Sequence, residues 1–265
     1  LNTLLGGTPN RGVADTKGIG GLDELGIPAV MTAHGPAGLR IVPERGVKTT
    51  AWPVATLLAC TWDPAVVYAV GEAGAKEVCE NNIGMWLTPA INIHRSPLCG
   101  RNFEYYSEDP LVVGKLAAAM VQGIQSQHVS ACVKHFCCNN KETNRYASDS
   151  RVSERALREI YLKAFQIVVK EAGVWAVMTA YNLLNGIYTS ENTDLLSGIL
   201  RGEWGFDGVV VTDWVNWAEH YREVLAGNNV RMPHGSPKRL QKAMEFGLVT
   251  REQLATNVRH VLEWL

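Results

Sequence analysis

Short runs of apolar, often β-branched residues alternate with segments of helical period along most of the chain, and this alternation constrains the fold more than any other feature. Seven runs are predicted to be strands, at 27–33, 55–61, 85–93, 129–136, 174–182, 208–214 and 228–233. Helical patterns cover 65–82, 110–127, 153–172, 191–204, 237–247 and 250–265. Repeated strand–helix units are typical of parallel strands joined by crossover helices.

The length of 265 residues is that of a common single (β/α) barrel. We therefore predict an α/β fold, a TIM-like (β/α)8 barrel that forms one domain over residues 1–265. Residues 1–26 are predicted to be a Gly-rich leader loop, and 27–265 to form the β/α units. Nucleotide-binding folds have no motif support, because neither GxGxxG after a strand nor GxxxxGK[ST] is present.

Charge and composition exclude several classes of function. The net charge of −1 argues against broad binding to nucleic acid or to an anionic membrane. No apolar run approaches the roughly 18 residues of a membrane span. Charged residues make up only 19% of the chain, so either the core is large or another unit covers part of the surface. Six scattered cysteines without CxxC indicate reduced thiols, and hence a cytoplasmic location.

Reactive side chains of such barrels lie where the strands end, on the C-terminal face. Polar and aromatic residues follow five of the predicted strands: His34, Arg101, Lys134, His135, Tyr181, Asp213 and Trp214. Asp213 is the sharpest candidate, because it follows a buried GVVV run and could act as nucleophile, base or metal ligand. Trp214 offers a flat apolar face of the kind that packs against a sugar ring. The sequence therefore predicts a shared pocket on this rim.

Neither a metal nor a cofactor is expected. The seven histidines form no HxH or HExxH spacing. A cluster of His34, His135 and Asp213 could assemble in three dimensions. However, Lys134 and Arg101 would oppose a bound cation.

Six strings carry a resemblance to one family: GPAGLR (35–40), GRNFEYYSEDP (100–110), KHF with NNKETNR (134–145), SERALREIYLKAF (153–165), GFDGVVVTDW (205–214) and AGNNVRMP (226–233). In this order they resemble glycoside hydrolase family 3, the branch of β-glucosidases and their relatives. The resemblance implies a TIM-like barrel, which in the family is accompanied by a second α/β sandwich domain. The leader resembles members in which the order of the two domains is permuted.

The resemblance also implies roles for the rim residues. Asp213 matches the catalytic nucleophile and Trp214 an aromatic wall of the pocket. Residues that hold sugar hydroxyls or orient the nucleophile are matched by Arg101, Lys134, His135, Arg145 and Tyr181. The implied reaction is retaining hydrolysis of a β-glucoside or another small saccharide through a covalent glycosyl-enzyme. The KHF segment of the family often contains a cis non-proline peptide bond.

The sequence departs from the family pattern at the pocket. His34 stands where the motif normally reads Asp-Gly-Pro, and that Asp accepts hydrogen bonds from the sugar. An imidazole has at most one acceptor nitrogen, so weaker sugar binding is expected. Away from the pocket, Asn229 replaces a more usual Asp, and His128 stands where Gly is common.

The second departure from the family pattern is a missing general acid. In most β-glucosidases of the family the acid/base Glu comes from the second domain, and the His/Asp dyad of the β-N-acetylglucosaminidases is absent from KHFCCNNKETNR. The carboxylates of Glu104, Glu142, Asp149 and Glu219 are expected to form loop salt bridges or caps instead. We therefore expect weak or no hydrolysis by this chain alone. The alternative is a trimmed or redesigned barrel scaffold without native hydrolase activity, built around His34.

Exposed aromatic side chains on the rim predict a homodimer through that face.

Overall fold

The computed structural model describes residues 1–265 as one α/β unit. The strands are β1 Gly18–Leu22, β2 Ile27–Ala33, β3 Met85–Trp86, β4 Ser130–Phe136, β5 Asp149–Ser150, β6 Ala176–Thr179, β7 Leu183–Leu184, β8 Ile187–Tyr188 and β9 Val209–Val211. The helices are α1 Ala55–Ala59, α2 Pro64–Glu80, α3 Pro110–Gln125, α4 Glu154–Ala156, α5 Lys163–Ile167, α6 His220–Ala226, α7 Pro237–Glu245 and α8 Arg251–Trp264. Short 3-10 turns cover Asp23–Leu25, Pro43–Arg45, Asn102–Glu104 and Thr189–Glu191, and π-helical turns cover Leu157–Tyr161, Val168–Ala172 and Asp194–Glu203.

The main sheet curls into a closed ring. Its strand order is β1-β2-β3-β4-β6-β9, with β2 to β9 parallel and β1 antiparallel to β2. Beyond β9 the ring closes through three single bridges, which join Val211 to Val230, Arg231 to Gly6, and Thr8 to Gly18 of β1. The predicted TIM-like barrel is therefore confirmed, with one reversed strand at the seam.

The leader takes part in this closure, so the prediction of a loop over 1–26 is wrong for β1 and for the segment around Gly6. Leu5 is fully buried, and a Cβ added at Gly6 would lie 2.3 Å from the backbone nitrogen of Gly235. The apolar alternation that marks strands is missing here, because glycines provide the close backbone approach instead of side chains. Composition alone therefore suggested a surface loop.

The segment 55–61 was predicted to be a strand, and this prediction is wrong. Residues 55–59 form helix α1, which lies in the long crossover from β2 to β3. Alanine and leucine favour helix, and a short apolar run does not distinguish a strand from a buried helical turn. Helix α6 was not predicted, because its seven residues are too few to show a helical period.

The two largest of three apolar clusters lie on the two faces of the barrel sheet. The larger has 47 buried residues and lies between the ring and the outer helices, chiefly α2, α3 and α5. The smaller has 11 buried residues from several strands and fills the interior of the ring, where Met85, Cys132 and Val209 meet. Side chains alternate between these two layers along each strand. The ends of the strands are thereby fixed, together with the residues that follow them.

Two backbone features agree with the resemblance. The Lys134–His135 peptide bond is cis, as is that between Phe136 and Cys137. His128 has φ 58°, in the left-handed region that glycine adopts most easily. Glycine, which the resemblance leads us to expect at that position, would adopt this conformation without steric cost.

All six cysteines are unpaired, as predicted; Cys132, Cys137 and Cys138 are buried. Helices of the length and apolarity that a membrane span requires are absent from the structure.

Candidate active site

A pocket of about 440 Å³ opens at the C-terminal ends of the barrel strands. Its lining is mostly polar and consists of His34, Gly35, Pro36, Ala37, Gly38, Arg40, Arg101, Phe103, Glu104, Lys134, His135 and Asp213. Strand β2 ends just before His34, β4 carries Lys134 and His135, and β9 ends two residues before Asp213. The pocket therefore lies where the sequence predicted it.

Five of the eight predicted site residues line this pocket: His34, Arg101, Lys134, His135 and Asp213. The other three flank it. Trp214 places its ring 5.2 Å from the ring of His34, and Tyr181 lies close enough to Asp213 to influence its ionisation. Arg145 does not reach the pocket lining, and its guanidinium stacks 4.7 Å over the ring of Tyr181.

Asp213 presents one unpaired carboxylate oxygen. Its Oδ1 accepts a hydrogen bond from the backbone N–H of Trp214 at 2.7 Å. Its Oδ2 is buried and makes no hydrogen bond of ordinary geometry, while the nearby hydroxyl of Tyr181 favours the ionised form of the carboxylate. The preceding Thr212 is tied into the barrel, since its N–H donates to Val230 and its Oγ1 accepts from the N–H of Met232. The free oxygen is thus held on a rigid strand end, which is the geometry that a nucleophile requires.

Burial and charge act in opposite directions on this carboxylate. Burial raises the pKa of Asp213, while the N–H of Trp214 and the positive charges of Arg101 and Lys134 oppose that shift. Burial likewise lowers the pKa of Lys134, and the carboxylates of Glu104 and Asp213 oppose it. Lys134 is only 2% exposed, so its ammonium and the Asp213 carboxylate stabilise each other's charged forms across the pocket.

His135 is held as a neutral imidazole. Burial lowers its pKa well below the ordinary value, and the charges of Arg101 and Lys134 act in the same direction. Arg101 places Nη2 2.9 Å from His135 Nε2, and an arginine can only donate. Nε2 is therefore the acceptor, and the ring proton is on Nδ1, 3.4 Å from Oδ1 of Asn92. Although Nε2 lies 3.6 Å from Oδ2 of Asp213, the two groups form no ion pair.

His34 is also neutral. Burial lowers its pKa to about 3, and the nearby Lys134, Arg40 and Arg101 act in the same direction. Its backbone N–H donates to Oδ1 of Asp15 at 3.0 Å, and the other oxygen of Asp15 lies 3.5 Å from Nε of Arg40. A carboxylate thus lies directly behind position 34, but it is not part of the pocket lining.

Four residues that support the site were not among the predicted site residues. Glu104, only 4% exposed, pairs with Nε of Arg101, and the RNFE spacing was the available signal. Arg40 belongs to the GPAGLR string, and Asn92 follows a predicted strand. Asp15 gave no signal, because it lies in the segment predicted to be a loop.

The expected ion pairs of the loop carboxylates are largely confirmed. Glu104 pairs with Arg101, Glu142 with Arg145 and Asp149 with Arg151. Glu219 occupies the N-cap position of α6 without a side-chain cap. A grouping of three or more side chains suited to a metal ion is not found in the structure.

The fold and this pocket define a barrel of the glycosidase type, and comparison with known proteins agrees. The profile described as the glycosyl hydrolase family 3 N terminal domain matches residues 21–264. The chain belongs to this family, as the six sequence strings indicated.

Three relatives illustrate the similarity. Beta-glucosidase A of Butyrivibrio fibrisolvens is 59% identical over 254 residues, which cover 96% of this chain and 31% of that protein. An exo-alpha-(1->6)-L-arabinopyranosidase of Bifidobacterium longum is 42% identical, covering 88% of this chain and 32% of that protein. The structure of beta-glucosidase 3B from Thermotoga neapolitana in complex with alpha-D-glucose superposes with a TM-score of 0.96 at 43% identity, covering 99% of this chain and 40% of that one.

The chain thus spans about a third of the length of the curated relatives that it matches. This agrees with the expectation that it corresponds to the barrel domain of a longer architecture.

Proposed function

We propose that this chain is the barrel domain of a retaining β-glycosidase that acts on β-glucosides or a similar small saccharide, with Asp213 as the nucleophile. The observation that carries the proposal is the free Oδ2 of Asp213, held on a strand end beside Lys134 and the Arg101–His135 pair. In the reaction, a lone pair of Oδ2 forms a bond to the anomeric carbon while the bond to the leaving oxygen breaks. Water then releases the sugar from Asp213.

The pocket residues have separate tasks in this scheme. Lys134 and Arg101 favour the ionised form of Asp213, without which the carboxylate cannot attack. His135 accepts from Arg101, so it orients that guanidinium rather than protonating a leaving group. His34 stands at the sugar-binding position of the family motif, where a neutral imidazole replaces an acceptor carboxylate. We therefore propose weak sugar binding.

A general acid is not found among the carboxylates of this pocket. Glu104 is engaged by Arg101, and Asp213 is assigned to the attack. Natural β-glucosides, whose leaving groups require protonation, should therefore react very slowly with this chain alone. Activated aryl glucosides should react, since dinitrophenolate leaves with its electron pair and requires no proton.

The experiment is incubation with 2,4-dinitrophenyl β-D-glucoside. The proposal predicts a slow burst of dinitrophenolate that is lost in Asp213→Asn and kept in a matched Asp149→Asn variant, whose carboxylate pairs with Arg151. The alternative, a trimmed or redesigned scaffold without hydrolase activity, predicts the same background release from all three proteins. That result would overturn the proposal.

The proposal extends to what covers the rim. Leu98, Phe103, Val215 and Trp217 are all more than half exposed there. The second α/β sandwich domain of the family would cover this face, and in the isolated chain we propose a homodimer through it. Light scattering after size exclusion should give the mass of a dimer. A monomer at high concentration would contradict this part of the proposal.

We also propose a reducing, cytoplasmic location, which the six unpaired thiols support.

A further inference from the structure

A second polar pocket lies where the loop after β4 meets strand β5. Its volume is about 250 Å³, and none of the residues that line it lines the pocket at Asp213. Pockets for drug-sized ligands usually measure about 300–1,000 Å³, so this one suits a molecule of roughly the size of a monosaccharide. Its lining combines cations with amide and hydroxyl groups, and this combination restricts what can bind.

Two uncompensated cations line this pocket. Arg95 and Lys141 are both exposed, and neither forms an ion pair with a carboxylate of the chain. The guanidinium of Arg95 lies 5.7 Å from the ring centroid of Tyr161, and this cation–π contact limits its movement. A third cation, Arg151, is neutralised by Asp149 at 2.6 Å. The pocket therefore has a net positive charge, and it should attract an anionic group that accepts charge-assisted hydrogen bonds.

Two amide oxygens of the pocket residues lack a donor. Asn182 is 3% exposed, and its Nδ2 donates to the backbone oxygens of Cys137 and Leu183 at 3.2 and 3.1 Å. These bonds fix the orientation of the amide, and its Oδ1 has no partner. Asn140 is fixed in the same way, since its Nδ2 donates to the backbone oxygen of Ile93 and its Oδ1 is also unpaired. A buried acceptor without a donor is costly, and a hydroxyl group of a ligand would satisfy it.

We propose that this pocket binds a monosaccharide that carries one anionic group, either a sugar phosphate or a sugar acid. The anion lies against Arg95 and Lys141, and hydroxyl groups of the sugar donate to the Oδ1 atoms of Asn140 and Asn182. A neutral sugar would leave both cations without a partner, and an anion without hydroxyl groups would leave both amide oxygens unpaired. The site is separate from the proposed nucleophile, so it neither requires nor supports attack by Asp213.

Titration calorimetry with glucose 6-phosphate, glucuronate, methyl phosphate and glucose tests the proposal. At least one of the two anionic sugars should bind about tenfold more tightly than methyl phosphate or glucose, and the tighter of the two identifies the anionic group as phosphate or carboxylate. Arg95→Gln and Lys141→Gln should each weaken this binding by about three- to tenfold. Lys242→Gln, which removes the same charge from an exposed position on α7, is the control and should leave the affinity unchanged.

The pocket at Asp213 also contains cations, and Arg40→Gln removes one of them. If Arg40→Gln weakens the binding of the anionic sugar while Arg95→Gln and Lys141→Gln do not, the sugar binds at Asp213 and the inference is wrong. Methyl phosphate that binds as tightly as glucose 6-phosphate would also overturn it, because the hydroxyl groups would then contribute nothing. Binding of neither anionic sugar at millimolar concentration would have the same meaning. Unchanged thermal unfolding checks that the variants are folded.

Discussion

The Nη2 atom of Arg101 lies 2.9 Å from Nε2 of His135, and this contact sets the tautomer of the only imidazole that touches the Asp213 carboxylate. Because arginine only donates, Nε2 must be unprotonated. His135 therefore cannot supply a proton to Asp213 or to a leaving group. The charge opposite Asp213 comes from Arg101 and Lys134 instead.

This tautomer can be observed directly. Long-range 1H–15N NMR of the imidazoles should show His135 protonated at Nδ1 only, with no titration between pH 5 and 8, because burial holds its pKa well below the ordinary value. In Arg101→Gln the resonances of His135 should shift more than those of the exposed His234. Titration of His135 near pH 6.5 would show that the network is not formed as described.

Stability should fall in mild acid. Burial lowers the pKa of His220 to about 4, and that of His135 also lies well below 6.5, so the unfolded chain binds more protons than the folded one. The free energy of unfolding therefore has its full value above the pKa of histidine in the unfolded chain, about 6.5. It decreases as the pH falls below that value, by about 1.4 kcal/mol per pH unit for each such histidine. The raised pKa values of Asp213 and Glu223 oppose this loss of stability, because these carboxyl groups bind protons more readily in the folded chain than in the unfolded chain. Their effect begins only at a pH low enough for them to bind protons.

His220 provides the test of this slope. Its Nε2 donates to the oxygen of Leu5 at 3.1 Å, and its Nδ1 accepts from Ser236, so it is neutral in the fold. His220→Gln should reduce the slope of the unfolding free energy against pH, measured by urea unfolding between pH 6.5 and 5, by about the contribution of one histidine. His234→Gln, at an exposed position, is the control. Equal slopes in both variants would contradict the assignment.

Because the N-terminal segment closes the barrel, alanine substitutions at two of its glycines should differ sharply in their cost to stability. A methyl group at Gly6 would lie 2.3 Å from the backbone of Gly235, whereas one at Gly12 would meet nothing within 4 Å. Gly6→Ala should cost about 1–3 kcal/mol of unfolding free energy, and Gly12→Ala almost none. Thermal or urea unfolding measures both. Similar stabilities would mean that residues 6–8 are not part of the ring.

A carboxylate at position 34 should restore sugar binding. An Asp side chain can accept two charge-assisted hydrogen bonds where the imidazole of His34 accepts at most one neutral bond. His34→Asp should tighten the binding of methyl β-D-glucoside by about tenfold or more, measured by calorimetry or NMR. His34→Asn separates charge from size, since it offers only a neutral acceptor. Equal affinities of the Asp and Asn variants would contradict the reasoning.

The sequence was most informative where strands were long and buried. The GVVV run before Asp213 and the VSACVKHF run that contains Lys134 and His135 showed both a strand and a reactive end, and the structure places them together. The seam was not predictable, because β1 and the bridges at Gly6 depend on glycine contacts between distant segments. Asp15 was missed for the same reason. Arg145 was assigned a role by position alone, and only the three-dimensional structure shows it stacked on tyrosines.

The most direct test of the account is the identity of the carboxylate that bonds to the sugar. After incubation with 2,4-dinitrophenyl 2-deoxy-2-fluoro-β-D-glucoside, intact mass spectrometry should show one added fluoroglucosyl group. Peptide mapping should place it on Asp213, and Asp213→Asn should remain unlabelled. Labelling of Glu104 or of another carboxylate, or no labelling of the unaltered chain, would contradict the assignment of Asp213 as the nucleophile.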